Sequence, residues 1–195
     1  MMESVRGKNI RRIHILGAAG SGKTTLARHA AERLKCPWYE LDTIAYVGGY
    51  ARKRTLAERL TNLQEIAIQP AWATEGFFLW WIDELLGSAD AIVWLDLPMT
   101  ISIPRVVTRH FKLSWAGENR HPGLLKLARF TWGCLPFYLE PEPRIPKAPD
   151  DDGAVNRVTV SQYLEPYAEK VVQCRRPADV EQFLSHLHVG AKTHE

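Results

Sequence analysis

Cysteine is scarce in this chain: Cys36, Cys134 and Cys174 are the three present, odd in number and far apart. They show no CxxC pair and no Cys/His metal spacing, so neither a disulfide framework nor a structural zinc is expected. Each reads as a small buried hydrophobe in a reducing compartment. Long apolar runs are lacking as well. A stretch such as "GFFLWWI" at 76–82 falls well short of the ~20 residues that span a bilayer, and the N-terminus has no long apolar core of the signal-peptide kind. A cytoplasmic chain with no membrane partner is expected, with a monomer as the default state. Nor is there a large excess of one charge. A formal net charge of +3 with 24% charged residues argues against a nucleic-acid coat protein. At 195 residues a chain can bury roughly 70% of the surface its unfolded form exposes, so one domain without covalent staples is expected.

What is present is unevenly distributed. Between Arg105 and Arg129 six Lys/Arg (Arg105, Arg109, Lys112, Arg120, Lys126, Arg129) face one acid, Glu118. From Pro136 to Asp152 the chain turns proline-rich and acidic, which reads as a long surface loop because proline propagates neither a helix nor a central strand. Elsewhere strand and helix signals alternate. "RRIHIL" (11–16), "PWYELD" (37–42), "AWATEG" (71–76), "DAIVWLDLP" (90–98) and "VVQC" (171–174) read as strands, the fourth too continuously apolar to have a wet face. Between them, 23–35 and 55–69 carry helical apolar periodicity, an aromatic helical segment ends near Gly87, and a further helix runs through Arg109. Pro104 is tolerable in that helix only within its first turn. "VSQYLEPYAEK" reads as a helix broken at Pro166, and "PADVEQFLSHL" as a closing helix with proline at its start. This order predicts an α/β fold of three layers: a mostly parallel five-stranded sheet with helices on both faces.

Between the first strand and the first helix stands "GAAGSGKTT", residues 17–25. Gly17, Gly22, Lys23 and Thr24 satisfy G-x-x-x-x-G-K-[ST] in the strand–loop–helix context that this motif requires. Its glycines let the backbone N–H groups of Ala18, Ala19, Gly20, Ser21, Gly22 and Thr25 converge on phosphate oxygens, and the helix adds its positive dipole end. Lys23 is suited to the β- and γ-phosphates and the Thr24 hydroxyl to a magnesium shell. A nucleotide is therefore the expected ligand. Late in the chain there is no N-K-x-D guanine clamp of the GTPase type.

Together "ILGAAGSGKTTLA", "YELDTIAY", "WATEGFF" and "AIVWLDLP" resemble the adenylate-kinase-like P-loop family, and within it the branch of DNA topology modulation proteins. The resemblance covers about residues 11–110 and, more weakly, 168–187. It implies a five-stranded parallel core, ATP with Mg2+ as phosphate donor, and a mobile basic lid, for which the irregular span at about 110–157 is the candidate.

Around the phosphate loop several side chains are candidates for chemistry. Glu40 and Asp42 lie two apart at the predicted end of the second strand, on one side of the sheet, where open α/β sheets bind ligands. In related small kinases an acid here holds the acceptor or takes its proton, and Asp42 is the matching position; a helix cap or solvated turn is the plain alternative. Glu75 precedes Gly76 where relatives have Asp-Gly, a place from which magnesium-bound water is ordered. Asp96 in "WLDLP" is the rival metal candidate, or else fixes the turn after its strand. Arg105 and Arg109, four apart on one helix face, suit the charge that spreads over a moving phosphoryl group, unless that face is merely solvated. Arg176 and Pro177 stand where the family places its adenine-contacting loop. Trp72, Trp80 and Trp81 flank the acceptor side, and His186 with His188 reads as a surface pair. "EGFFLW" departs from the family pattern: Phe78 and Leu79 occupy the places of a Pro-Arg pair that grips a monophosphate, with Arg52, Lys53 and Arg54 as possible substitutes. Two functions follow: phosphoryl transfer to a small-molecule or nucleotide acceptor, or an ATP-binding regulator acting on DNA, for which the basic 105–129 segment is the support.

Overall fold

Short, mostly apolar runs become the strands of one parallel sheet. The computed structural model of the protein describes residues 8–48, 51–119 and 122–187. Arg12–Gly17 (β1) is the central strand; Trp38–Glu40 (β2), Trp72–Glu75 (β5), Ala91–Leu95 (β6) and Val171–Cys174 (β7) complete the order β2-β5-β1-β6-β7. Every pairing is parallel, with Ile13 opposite Ala73 on one side and Ala91 on the other. A two-stranded hairpin, Tyr46–Val47 (β3) with Arg52–Lys53 (β4), stands apart from the sheet. Neither of its strands is long enough to show periodicity in the sequence.

Alternation along β1 divides the core in two. Ile13 and Ile15 point to the layer formed by Lys23–Leu34 (α1) and Pro177–His186 (α8), where they meet Leu26, Ala30, Val93, Val172 and Phe183. Leu16 points the other way, into a cluster fed by Leu41–Ala45 (α2), Leu56–Ala67 (α3), Asp83–Ser88 (α4) and Arg157–Tyr163 (α7). This is the expected three-layer α/β fold, a five-stranded parallel sheet with helices on both faces. α3 starts on a reciprocal capping box, in which the Thr55 hydroxyl accepts from the Glu58 amide and the Glu58 carboxylate accepts from the Thr55 amide.

Some expectations are corrected. β2 stops at Glu40, and Asp42 sits in the first turn of α2, so Glu40 and Asp42 do not share a strand face. Pro104 is the sixth residue of Met99–Trp115 (α5), past its first turn. It is tolerated because it and Thr100, whose carbonyl loses its helical donor, are both exposed and that carbonyl is left to water. Pro136 lies inside Leu124–Leu139 (α6); the irregular loop begins only at Glu140. Phe137 one residue on is buried, edge-on to Phe77 at 5.2 Å, which holds the last turn of α6 in place. Residues 160–170 form the end of α7 and a separate 3-10 turn, Glu165–Lys170. Cys174 is buried, its thiol pushed up to about 12 by burial, whereas Cys36 and Cys134 are half-exposed.

Polar groups inside the sheet carry a pH signature. His14 is fully buried, with Nδ1 2.9 Å from the Thr74 hydroxyl and Nε2 without a partner among the described residues. Burial lowers its pKa to about 3 from an ordinary 6.5. The unfolded chain therefore takes up a proton between pH 6.5 and 3 that the folded chain refuses, and stability falls as pH drops through that window. One such proton is worth about 1.4 kcal/mol per pH unit, or roughly 2 kcal/mol between pH 6.5 and pH 5. Urea unfolding at pH 7.5 and 5 checks this: His14→Asn is expected to flatten the dependence, and an unchanged pH slope in that variant would refute it.

Candidate functional site

The phosphate loop leaves the centre of the sheet at Gly17 and returns as α1. Gly20 and Gly22 have φ of 77° and 97°, a region open to glycine and strained for other residues. At Gly20 there is no room either, since a Cβ would meet the Ser102 carbonyl and, at 2.9 Å, the Val106 side chain of α5. Gly22 caps α1 without any side-chain bond to the helix, so the first amides of α1 face the loop's hollow. Ser21 is buried and its hydroxyl has no partner among the described residues. A concave run of amides at a helix start, with an uncommitted buried hydroxyl beside it, fits a phosphate chain.

Lys23, in the first turn of α1, donates to the Ala18 carbonyl at 3.2 Å and stands 6.0 Å from the centre of the Phe77 ring. Burial is the largest influence on its ammonium and lowers the pKa; the charges of Glu75 and Asp42 push it back up, and Arg109 lowers it. Thr24 donates its hydroxyl to Glu75 Oε1 at 2.7 Å. Glu75 closes β5 and is 6% exposed, and its pKa is raised, chiefly by burial, against the lowering by Thr24 and Lys23. The charges of Glu40 and Asp42 add to the rise. Although α2 carries Asp42 off the strand, it keeps the carboxylate within electrostatic reach of both Lys23 and Glu75. No group of three His, Cys, Asp or Glu among the described residues is arranged to hold a metal ion alone. A magnesium here would need phosphate oxygens to complete its shell, which is its ordinary habit in nucleotide sites.

Arg105 projects from α5 and donates to the Ser21 carbonyl at 3.4 Å. Arg105 and Arg109 line one cleft of about 430 Å³ together with residues 20–25 of the loop. Leu26 and His29 of α1, Leu95, Leu97, Pro177, Val180 and Leu184 form the rest of its wall with Glu181. The cleft runs from the phosphate loop to an apolar end against α8. Pro177 lies in it, but the Arg176 guanidinium turns to Asp179 at 2.9 Å, with its side chain 78% exposed. The apolar wall of α8 was not singled out from sequence; its Val180–Leu184 spacing of four was the available signal.

Asp96 sits elsewhere in the network. Both its oxygens are occupied: Arg157 Nε and Nη2 reach them at 2.7 Å each, and Gln173 donates to Oδ2 at 2.7 Å. The side chain is 1% exposed, so it ties the end of β6 to α7 and β7. Arg157 was not anticipated; an isolated arginine after the Asn156 cap gives no sequence signal of its distant partner.

On the acceptor side the basic trio is also engaged. Arg54 donates to the carbonyls of Thr43, Ile44 and Tyr46, Arg52 pairs with Glu58, and Lys53 pairs with Asp152 at 2.8 Å. Asp150 and Asp152 belong to the acidic loop, which docks on α3 through the fully buried Arg59. Arg59 lies 4.9 Å over the Trp81 ring, and Trp81 Nε1 donates to Asp152. Phe78 and Leu79 are buried, as are Trp72 and Trp81, while Trp80 packs on Tyr163. His186 is exposed on α8; Arg120 and His188 lie outside the described residues.

No protein-family model matches the chain. Over 101 residues it is 32% identical to the uncharacterized protein YqaC of Bacillus subtilis (strain 168), covering 51% of this chain and 57% of that protein's length. Solved structures similar to it include a gluconokinase from Sinorhizobium meliloti 1021 at 17% identity, 92% of this chain, 93% of the other and a TM-score of 0.48. A shikimate kinase from Bacteroides thetaiotaomicron aligns at 15% identity over 91% of this chain and 96% of the other, with a TM-score of 0.47.

Proposed function

We propose that the protein is an ATP-dependent phosphotransferase acting on a small hydroxyl-bearing acceptor. The observation that carries this reading is the Thr24 hydroxyl bonded at 2.7 Å to the buried Glu75 carboxylate, beside Lys23 at the head of α1. Amides of residues 18–25 hold the phosphate chain of ATP, and the apolar end of the cleft takes its base, with Arg176 at the rim. Thr24 and Glu75 are the residues to hold Mg2+. Asp96 is the poorer candidate because Arg157 and Gln173 already fill both of its oxygens. When bound, magnesium supplies charge neutralisation on the β- and γ-phosphates. Lys23 bridges the same phosphates, and Asp42 accepts the proton of the acceptor hydroxyl, a role favoured by its place beside Glu75 and Lys23. Arg105 and Arg109, on α5 just before a lid at about 110–157, stabilise the equatorial oxygens of the moving group.

The acceptor is argued from what is engaged. With Leu79 in the core and Arg52, Lys53 and Arg54 all paired internally, no free arginine or lysine of that group is left to grip a monophosphate. ADP release from magnesium ATP, measured across nucleoside monophosphates, nucleosides and small hydroxylated metabolites, tests the reading. A hydroxylated acceptor without phosphate is expected to raise turnover most. If none does, while DNA stimulates ADP release or binds in an ATP-dependent way, the regulator of DNA topology replaces the kinase. Arg105→Ala and Arg109→Ala are each expected to lower kcat by about 10²-fold, the loss of one transition-state donor. An unchanged rate in both would make them ordinary surface residues.

A further inference from the structure

The hairpin of α5 and α6 exposes far more apolar surface than its neighbours. Trp115 is 97% exposed, Leu125 88%, Trp132 77% and Leu124 66%, with Phe111 at 53% and Phe130 at 50%. These residues lie on the last turns of α5 and on residues 124–132 of α6. α5 runs on past Arg109, its last residue lining the cleft, which puts Trp115 about 9 Å further along the helix axis. Few of the sixteen residues of α6 are buried; Leu127 and Phe137 are, and the helix contains no acid. Interspersed with the exposed rings and leucines are Lys112, Lys126 and Arg129, against Glu118 alone in the span from Arg105 to Arg129. A helix apolar on nearly every side needs either protein or lipid around it.

We propose that the distal part of this hairpin docks on anionic lipid bilayers, with Trp115, Leu124 and Leu125 entering the interface and Lys112, Lys126 and Arg129 meeting the headgroup phosphates. Basic residues beside exposed Trp, Phe and Leu are the composition of helices that lie in the plane of a negatively charged membrane surface. Charge complementarity decides among occupants. A two-fold contact with a second copy sets one basic face against the same basic face. Single-stranded nucleic acid stacks on rings, but Leu124 and Leu125 offer no π-face. No helix among the described residues is long and apolar enough to cross a membrane, so the contact is interfacial.

Flotation of the full-length chain with phosphatidylcholine vesicles, with and without phosphatidylglycerol, tests this. The fraction bound is expected to rise about tenfold or more with the anionic lipid and to fall with added salt. Leu124→Ser/Leu125→Ser and Lys126→Glu/Arg129→Glu are each expected to abolish binding while leaving the thermal midpoint unchanged. Absence of flotation, or equal flotation with neutral vesicles, overturns the proposal. So does a dimer in solution that the leucine variant alone dissociates, or oligonucleotide binding lost in the basic variant without any vesicle binding.

Discussion

Lys23→Ala is expected to lower magnesium-ATP turnover by about 10³-fold, the upper end of what one preorganised donor contributes to a developing anion. The reason is local. Lys23 is the cation whose field reaches Glu75, whose pKa burial already raises. Without Lys23 the Glu75 carboxylate keeps the Thr24 hydroxyl but loses a charge that favours its ionised form. Its pKa therefore rises further, and the acid limb of the pH–rate profile is expected to move to higher pH in the variant. This second readout separates a lost charge from a damaged fold. The thermal midpoint is not expected to drop, because burial disfavours the ammonium in the folded chain. A variant with wild-type turnover, or one with lower turnover and an unmoved acid limb, would remove Lys23 from the chemistry.

Arg59→Ala is expected to have the largest effect on stability, about 3 kcal/mol. Losing one member of a buried pair costs roughly 3–5 kcal/mol, but Asp150 is 32% exposed and can be rehydrated, so the lower end applies. Removing the side chain also opens a void beside Trp81 and strips Asp150 and Asp152 of their buried partner. Lys53 pairs with the same two acids from a half-exposed position, and Lys53→Ala is accordingly expected to cost under about 1 kcal/mol. Urea unfolding measures both. Tryptic cleavage at Lys147, in the loop that these acids anchor, is expected to accelerate in Arg59→Ala well before global unfolding. Equal costs for the two variants would show that burial of the guanidinium contributes nothing.

Much of the architecture was legible because its signals are local. Continuous apolar runs such as "AIVWL" mark strands covered on both faces, and the strand–loop–helix around Gly22-Lys23-Thr24 carries its own confirmation. Composition misled at the prolines. Pro104 and Pro136 were weighed by intrinsic cost, and solvent at one and the packing of Phe137 at the other outweighed it. At Asp42 the alternation of the preceding strand was extended two residues too far, into a short helix. Least legible were the partners. Arg157 meets Asp96 across 61 positions and Arg59 meets Asp150 across 91, separations at which no single-sequence pattern connects two charges. That is also why Asp96 could be read as a metal ligand, although the folded chain gives its oxygens to Arg157 and Gln173.

The bond from Lys23 to the Ala18 carbonyl has a bearing on selectivity. If the site takes ATP as proposed, a lysine that must let go of its own loop before it reaches a phosphate subtracts the same amount, about 0.5–1.5 kcal/mol, from the affinity of every nucleoside triphosphate. A deduction common to all of them cannot rank ATP against GTP. Under the proposed function, discrimination between bases is then expected at the other end of the cleft, lined by Val180, Glu181 and Leu184 of the last helix and His29 of the first.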